Sequence, residues 1–118
     1  MIPFVEQKKE LLRDLCKAYY VENLFLFGSA AKNKLTEESD LDFLVNFSSE
    51  QDLMDYADNY FDFLSELQQF FGREIDLVTE KSLRNPILIQ EINKTKVPVY
   101  DITRYIPELK KEIRNLRN

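Results

Sequence analysis

The sequence predicts a small α/β (α+β) domain in which a mixed β-sheet is flanked by helices. Short apolar segments that indicate strands alternate with longer segments whose apolar residues recur at helical spacing. The 118 residues suffice for one core of modest size. Because no linker, repeat or low-complexity tract divides the chain, we expect a single domain over residues 1–118, with its core in about 1–100 and a C-terminal helix over 104–118.

The predicted elements follow the order α-β-β-α-β-α-β-α. Helices are assigned where apolar residues recur every three or four positions, and strands where a short apolar run ends at glycine or at a polar turn. This order indicates a small α/β domain with a mixed sheet. Before the C-terminal helix, the elements are a helix over 3–20, strands over 23–27 and 39–47, a helix over 51–71, a strand over 73–79, a helix from about Pro86 and an extended segment over 97–101.

Local signals mark both ends of the long predicted helix. Ser48 or Ser49 can cap its start, because a serine hydroxyl accepts hydrogen bonds from the free N–H groups of a first turn. Gly72 is expected to end it, since glycine adopts the left-handed conformation that closes many helices. Phe61 and Phe63 cannot share one face of this helix, so its aromatic residues form either a core stripe alone or a core stripe with an exposed partner surface.

Composition excludes several classes of function. The net charge of −5 lacks the basic character of a protein that grips a nucleic-acid backbone, so no stable nucleic-acid binding is expected. The absence of histidine excludes His-based catalytic triads and Cys/His zinc sites, and a single cysteine, Cys16, excludes an internal disulfide and is expected in the core. With no segment apolar enough to span a membrane and no signal-peptide pattern, we expect a cytoplasmic protein.

Two aspartates interrupt the second predicted strand. Residues two apart on a strand project to the same face about 6.6 Å apart, so Asp40 and Asp42 point into one space. Buried carboxylates repel each other unless a cation offsets their charge, and oxygen ligands favour Mg²⁺ or Mn²⁺. Asp76 interrupts the third strand in the same way, and three carboxylates can hold two metal ions about 3.5–4 Å apart, the arrangement that supports displacement at phosphorus.

A Gly-Ser step follows the first predicted strand. Gly28 permits close backbone approach, and Ser29 begins a short predicted helix whose N–H groups and hydroxyl would bind phosphate oxygens. Lys32 or Lys34 would add positive charge nearby. The Gly-Ser step and the aspartates together predict a nucleoside-triphosphate site, with phosphates at the first and metal ions at the second.

Each feature has an ordinary explanation when it stands alone. An Asp-x-Asp pair is commonly a solvated surface, a Gly-Ser step is commonly a turn, and Asp76 could be a charge that protects a sheet edge from pairing. The joint order is much more specific: a strand, Gly-Ser, ten residues, Asp-x-Asp on a second strand and a further aspartate on a third.

This order resembles the signature of the DNA polymerase β-like nucleotidyltransferase superfamily. The segments GREIDLVT and VPVYD, in a chain this short, are similar to the minimal nucleotidyltransferases, which include MntA-like antitoxins paired with HEPN-domain toxins. The resemblance spans about residues 24–100 and implies a polymerase β palm-like fold. It implies that Asp40, Asp42 and Asp76 are catalytic metal ligands for Mg²⁺ or Mn²⁺, and that Gly28 and Ser29 contact the triphosphate.

The resemblance also implies an activity and a partner. ATP would be the co-substrate, and its AMP moiety would pass to a hydroxyl, as in a protein adenylyltransferase that modifies a tyrosine of a HEPN toxin. The chain would then be the antitoxin of a type VII-like toxin–antitoxin pair. The alternatives are a catalytically weak antitoxin that neutralises its partner by binding alone, and a small-molecule nucleotidyltransferase, which usually has a further substrate domain. The oligomeric state stays open, and a homo-oligomer is one of the options.

Two positions depart from the resembling family. Many relatives have Arg-Gly where this chain has Lys32 and Asn33. Lys32 keeps the charge expected at the triphosphate but not the fork geometry of arginine.

The C-terminal segment is locally basic, and its predicted helix has Leu109, Ile113 and Leu116 on one face. We expect this segment to contact a partner, to cover the core or, least of all, to dock on nucleic acid.

Overall fold

The computed structural model describes residue 5 and residues 7–32, 39–48 and 52–102, apart from the side chain of residue 53. The predicted C-terminal helix lies outside these residues. The elements, in chain order, are α1 (Lys9–Ala18), β1 (Val21–Phe27), α2 (Gly28–Ala31), β2 (Leu41–Phe47), α3 (Leu53–Phe71), β3 (Ile75–Thr79), a 3₁₀ turn (Glu80–Ser82), α4 (Pro86–Thr95) and β4 (Val97–Asp101).

The four strands form one mixed sheet in the order β3-β2-β1-β4. Strand β1 is antiparallel to both β2 and β4, whereas β2 and β3 are parallel. Helix α3 connects the two parallel strands, as a parallel pair requires a crossover connection. The predicted mixed α/β class is therefore confirmed, with the third strand beside the second.

One face of the sheet carries the main core. Alternate residues of β2 are buried there beneath α1 and α3, which place Leu12 and Phe63 against them with no exposed surface. Phe47 lies at the centre of an aromatic group, with ring centroids 5.4–6.4 Å from those of Tyr56, Tyr60 and Phe63. Edge-to-face aromatic pairs at such distances add to the free energy gained by burial, so this face accounts for most of the packing.

The opposite face is covered only in part. Helix α4 places Ile92 over Leu44 of β2, and both side chains are buried, but they lie outside the main core cluster. Helix α2 also contacts α4 on this side of the chain. The residues of β2 that point to this face alternate with the core residues, and they include Asp42 and Asn46.

Helix ends follow local chemistry, with one correction. The first-turn N–H of Asp55 is bonded by the side chain of Asp52, so Asp52 caps α3, and the expected cap at Ser48 or Ser49 is wrong. A carboxylate also interacts favourably with the positive end of the helix dipole, which explains why Asp52 serves well there. Gly72 ends α3 with a φ of 64°, as predicted.

The start of α4 agrees with the prediction, whereas the end of α1 differs from it. Pro86 occupies the first turn of α4, as predicted, and Asn85 caps that helix through its side chain. The first helix ends at Ala18 rather than at residue 20, because the chain turns at Tyr20 with a φ of 60°. Cys16 is fully buried, as predicted. Within the described residues, no helix combines the length and apolar character needed to cross a bilayer.

Candidate functional site

The parallel register of β2 and β3 brings two predicted site residues side by side. Asp42 is the register partner of Asp76, and Leu41 and Phe43 pair with the apolar neighbours of Asp76 on β3. Partners in register project to the same face, so both carboxyl groups stand on the open face of the sheet. Asp42 is half-buried and Asp76 is exposed.

Gly28 lies directly against the Asp42 carboxyl group. Its φ of 70° falls in the left-handed region, where other residues are strained. A Cβ atom built on Gly28 would overlap the Asp42 Oδ2 atom. The antiparallel register explains the approach, since Phe27, the residue before Gly28, is the partner of Asp42. Glycine therefore permits both the turn out of β1 and the close contact with the carboxyl group.

The site concentrates negative charge, because the carboxyl groups of Asp40, Asp42 and Asp76 lie close enough to interact. Burial, the carboxylates of Asp76 and Asp40, and a hydrogen bond with the Asp76 side chain together raise the pKa of Asp42 to about 6. A hydrogen bond between two carboxyl groups requires a proton on one of them, because ionised carboxylates only accept. The arrangement thus favours a proton or another cation beside Asp42.

Asp40 stands at the edge of this group, one residue before β2 begins, and its side chain is exposed. Two contacts fix the backbone on either side of it. Arg73 Nη1 donates a hydrogen bond to the Ser39 carbonyl oxygen at 3.0 Å, and the Leu41 amide donates to the Glu74 carbonyl oxygen at 3.1 Å. The loop before β3 therefore holds the start of β2. Sequence reasoning missed this anchoring role of Arg73, for which the sequence alone contains no signal.

Helix α2 places the Gly-Ser step and Lys32 on the same side of the molecule as α4. Ser29 lies in the first turn of α2, and Lys32 caps its C-terminal end. The Lys32 Nζ atom lies 3.6 Å from Glu91 Oε1 of α4, with both side chains about half exposed. The predicted phosphate-binding lysine is thus paired with a carboxylate of α4 that no local sequence pattern indicates, although such an exposed pair is weak.

The oxygen donors suit a hard divalent cation such as Mg²⁺ or Mn²⁺. Across residues 7–32, 39–48 and 52–102, however, no three acidic or thiol side chains already converge as a complete metal-binding group. Asp42 and Asp76 are the pair in contact, and Asp40 acts on Asp42 through its charge. The observation that fits a cation is the raised pKa of Asp42, because burial and the neighbouring carboxylates both disfavour its ionised form.

Comparison with known proteins places this geometry in a family context. The family model of the nucleotidyltransferase domain matches residues 8–114. Relatives from Methanocaldococcus jannaschii carry the name "Putative protein adenylyltransferase". One of them, MJ1379, is 33% identical over 95 residues, which cover 80% of this chain and 90% of the relative. A second, MJ0128, is 32% identical over 99 residues, covering 80% and 97% respectively.

Solved structures show the same fold. A structure described as a "putative minimal nucleotidyltransferase" is 29% identical, has a TM-score of 0.64, and is matched over 80% of this chain and 91% of its own. A toxin–antitoxin structure with AMP-PNP has a TM-score of 0.62 at 15% identity, covering 92% and 91%. A complex of a tri-AMPylated HEPN toxin with an MNT antitoxin, from Shewanella oneidensis, has a TM-score of 0.57 at 15% identity, covering 96% and 92%.

Proposed function

Because the chain belongs to the nucleotidyltransferase domain family, we propose that it is a protein adenylyltransferase, which transfers the AMP moiety of ATP to a protein hydroxyl. The observation that carries this proposal is that β2, β3 and the start of α2 meet at the Asp42 carboxyl group. The parallel register sets Asp42 beside Asp76, and Gly28 brings the first turn of α2 against the same carboxyl group. A triphosphate bound at the Gly-Ser step would therefore lie next to the carboxylates.

Each site residue has a distinct role in this proposal. The free N–H groups and the Ser29 hydroxyl at the start of α2 bind phosphate oxygens, and Lys32 adds positive charge once it leaves Glu91. Asp42 and Asp76, with Asp40, hold Mg²⁺ or Mn²⁺. When bound, such a cation supplies charge neutralisation at the phosphates and lowers the pKa of a coordinated hydroxyl.

The transfer itself exchanges one bond to phosphorus for another. The acceptor oxygen forms a bond to the α-phosphorus, the bond from that phosphorus to the bridging β-phosphate oxygen breaks, and pyrophosphate leaves. A tyrosine hydroxyl has a pKa of about 10, so it must lose its proton as it attacks. Asp76 is exposed on the open face and can accept that proton.

We propose a tyrosine of a HEPN-domain toxin as the acceptor, and an antitoxin role for this chain. The names of the relatives from Methanocaldococcus jannaschii support a protein acceptor, and one structural neighbour is a complex of a tri-AMPylated HEPN toxin with an MNT antitoxin. Met54 and Phe61 on the outer side of α3 are 73% and 65% exposed, which supports a partner surface. The same two residues also support a second candidate, an antitoxin that neutralises its partner by contact alone.

Replacing Asp76 with Asn separates these two candidates. The change nearly preserves shape, so we expect partner binding to survive while transfer falls by about 10²–10⁴-fold, the usual contribution of a general base. The measurement is incorporation of label from α-³²P-ATP into the co-purified partner, with a binding assay on the same preparation. Asp58→Asn on the exposed side of α3 is the matched control, and it should label at the wild-type rate.

Two outcomes would overturn parts of the proposal. Labelling by Asp76→Asn at the wild-type rate would remove Asp76 from the reaction. A wild-type protein that labels nothing yet still neutralises its partner would establish the contact-only candidate instead.

A further inference from the structure

A cavity opens on the sheet face that carries the carboxylates. Its volume is about 190 Å³, and one of its lining residues is Leu44, two residues after Asp42 on β2. Residues two apart on a strand point to the same face about 6.6 Å apart, so the cavity lies one side-chain row from the carboxylates. The lining residues come from β2, the 3₁₀ turn and its following loop, and α4: Leu44, Glu80, Leu83, Ile89, Ile92 and Asn93.

We propose that this cavity is the nucleobase subsite of the nucleotide that reacts at Asp42 and Asp76. The inference deepens the proposed function and rests on it. In a nucleoside triphosphate one ribose separates the base from the α-phosphate. A base in the cavity would therefore leave its phosphates over the neighbouring row, between the carboxylates and the Gly-Ser step.

Size supports a single ring system as the occupant. A cavity of about 150 Å³ can hold benzene, whereas pockets for drug-sized ligands measure about 300–1,000 Å³. At about 190 Å³ the cavity is suited to one planar base and is too small for a whole nucleotide. Four of its six lining residues are leucine or isoleucine, so its walls are mostly aliphatic. Among them, Leu83 and Ile89 are half-buried and Ile92 is 2% exposed.

The polar groups at the rim give the cavity a direction. Glu80 accepts a hydrogen bond from Asn46 Nδ2, and its carboxylate repels phosphate, so the anionic end of a nucleotide must point away from it. The Asn93 side chain carries one acceptor oxygen and two N–H donors on a single amide. An amide of this kind pairs with a base edge that presents a donor beside an acceptor. The rim thus suits the base and rejects the triphosphate.

The same amide provides the test. Replacing Asn93 with Leu keeps the approximate size but removes both hydrogen-bonding functions. Affinities for ATP and for inorganic tripolyphosphate are measured by calorimetry with Mg²⁺ on the full-length chain. We expect wild type to bind ATP at least about tenfold tighter than tripolyphosphate, and Asn93→Leu to lose about tenfold for ATP with no change for tripolyphosphate.

Two further variants complete the design. Gln90→Leu makes the same amide-to-aliphatic change on an exposed position of α4 outside the cavity lining, and both affinities should stay at wild-type values. Ile89→Phe fills the cavity, so it should weaken ATP binding and spare tripolyphosphate. Circular dichroism establishes that each variant is folded before titration.

The outcomes separate this inference from the function on which it rests. Equal wild-type affinity for ATP and tripolyphosphate, or an equal loss for both ligands in Asn93→Leu, overturns the subsite and leaves the triphosphate site intact. A higher KM for the protein acceptor with unchanged ATP affinity also overturns it, because the cavity would then receive the acceptor ring. If wild type binds neither ligand, the proposed function fails and the subsite fails with it.

Discussion

The two faces of the sheet differ in the side chains that β2 presents to them: one face receives buried apolar residues and the other receives most of its polar ones. On one face Leu41, Phe43, Val45 and Phe47 are at most 4% exposed and pack beneath α1 and α3. On the other face the same strand presents Asp42, Leu44 and Asn46 to a half-open surface under α4. A single strand thus supports a packed apolar layer and a polar site, because its side chains alternate with a period of two.

This difference separates stability from function. The packed face gains free energy from the burial of its apolar side chains. The open face holds carboxyl groups at a cost in stability, which is visible in the raised pKa of Asp42. Changes on the first face should therefore alter unfolding, and changes on the second should alter binding.

The largest stability effect is expected on the packed face. Phe63 is fully buried, so Phe63→Ala should lower the free energy of unfolding by about 3–5 kcal/mol, the cost of deleting a core aromatic ring. Urea denaturation measures the loss. Phe61→Ala removes the same ring two residues away, where it is 65% exposed, and should change stability by no more than about 0.5 kcal/mol. Similar losses of stability in both variants would contradict the assignment of Phe63 to the buried side of α3 and Phe61 to its exposed side.

An intermediate loss of stability is expected at Gly28, which lies against the Asp42 carboxyl group. Gly28→Ala places a Cβ atom on the Asp42 carboxyl group and strains a φ of 70°, so it should cost about 1–3 kcal/mol and weaken ATP binding. Gly72→Ala has a similar φ of 64° but open space around it. That variant should lose stability through strain alone, about 1 kcal/mol, and keep its ATP affinity. Equal ATP affinities in the two variants would contradict a site at Gly28.

The smallest effect concerns pH. The pKa of Asp42 is about 6 in the folded chain against 3.8 for a free carboxyl group. Below pH 4 both states hold the proton and there is no penalty. As pH rises from about 4 to 6 the unfolded chain loses the proton first, so metal-free stability should fall. Solvent screening at this half-buried group limits the loss to about 1 kcal/mol.

Thermal denaturation in EDTA between pH 4 and 7 measures this dependence. Asp42→Asn should be more stable than wild type at pH 7, and its advantage should vanish near pH 4. An advantage that is the same at both pH values would have another origin.

The sequence predicted those parts of the fold that are determined by residues close together in the chain. Period-two and helical patterns gave the order of elements, and Gly72 and Pro86 marked helix boundaries correctly. Where local signals competed, prediction failed. Asp52 caps α3 instead of Ser48 or Ser49.

The site was predictable in residue types but not in its connections. The spacing of the aspartates and the Gly-Ser step indicated which residues could act together, and the register then set Asp42 beside Asp76. The contacts of Arg73 with Ser39 and of Lys32 with Glu91 join positions far apart in the chain. Such contacts follow from the packed sheet and from α4, so the sequence gives no local sign of them.

ATP titration with and without a divalent cation tests the central claim most directly. Three carboxylates should repel a triphosphate unless a cation intervenes. Calorimetry on the wild-type chain should therefore detect ATP binding in Mg²⁺ or Mn²⁺, and binding should be lost when EDTA chelates the cation. Equal ATP affinity in the two conditions would contradict a cation-dependent nucleotide site on the open face.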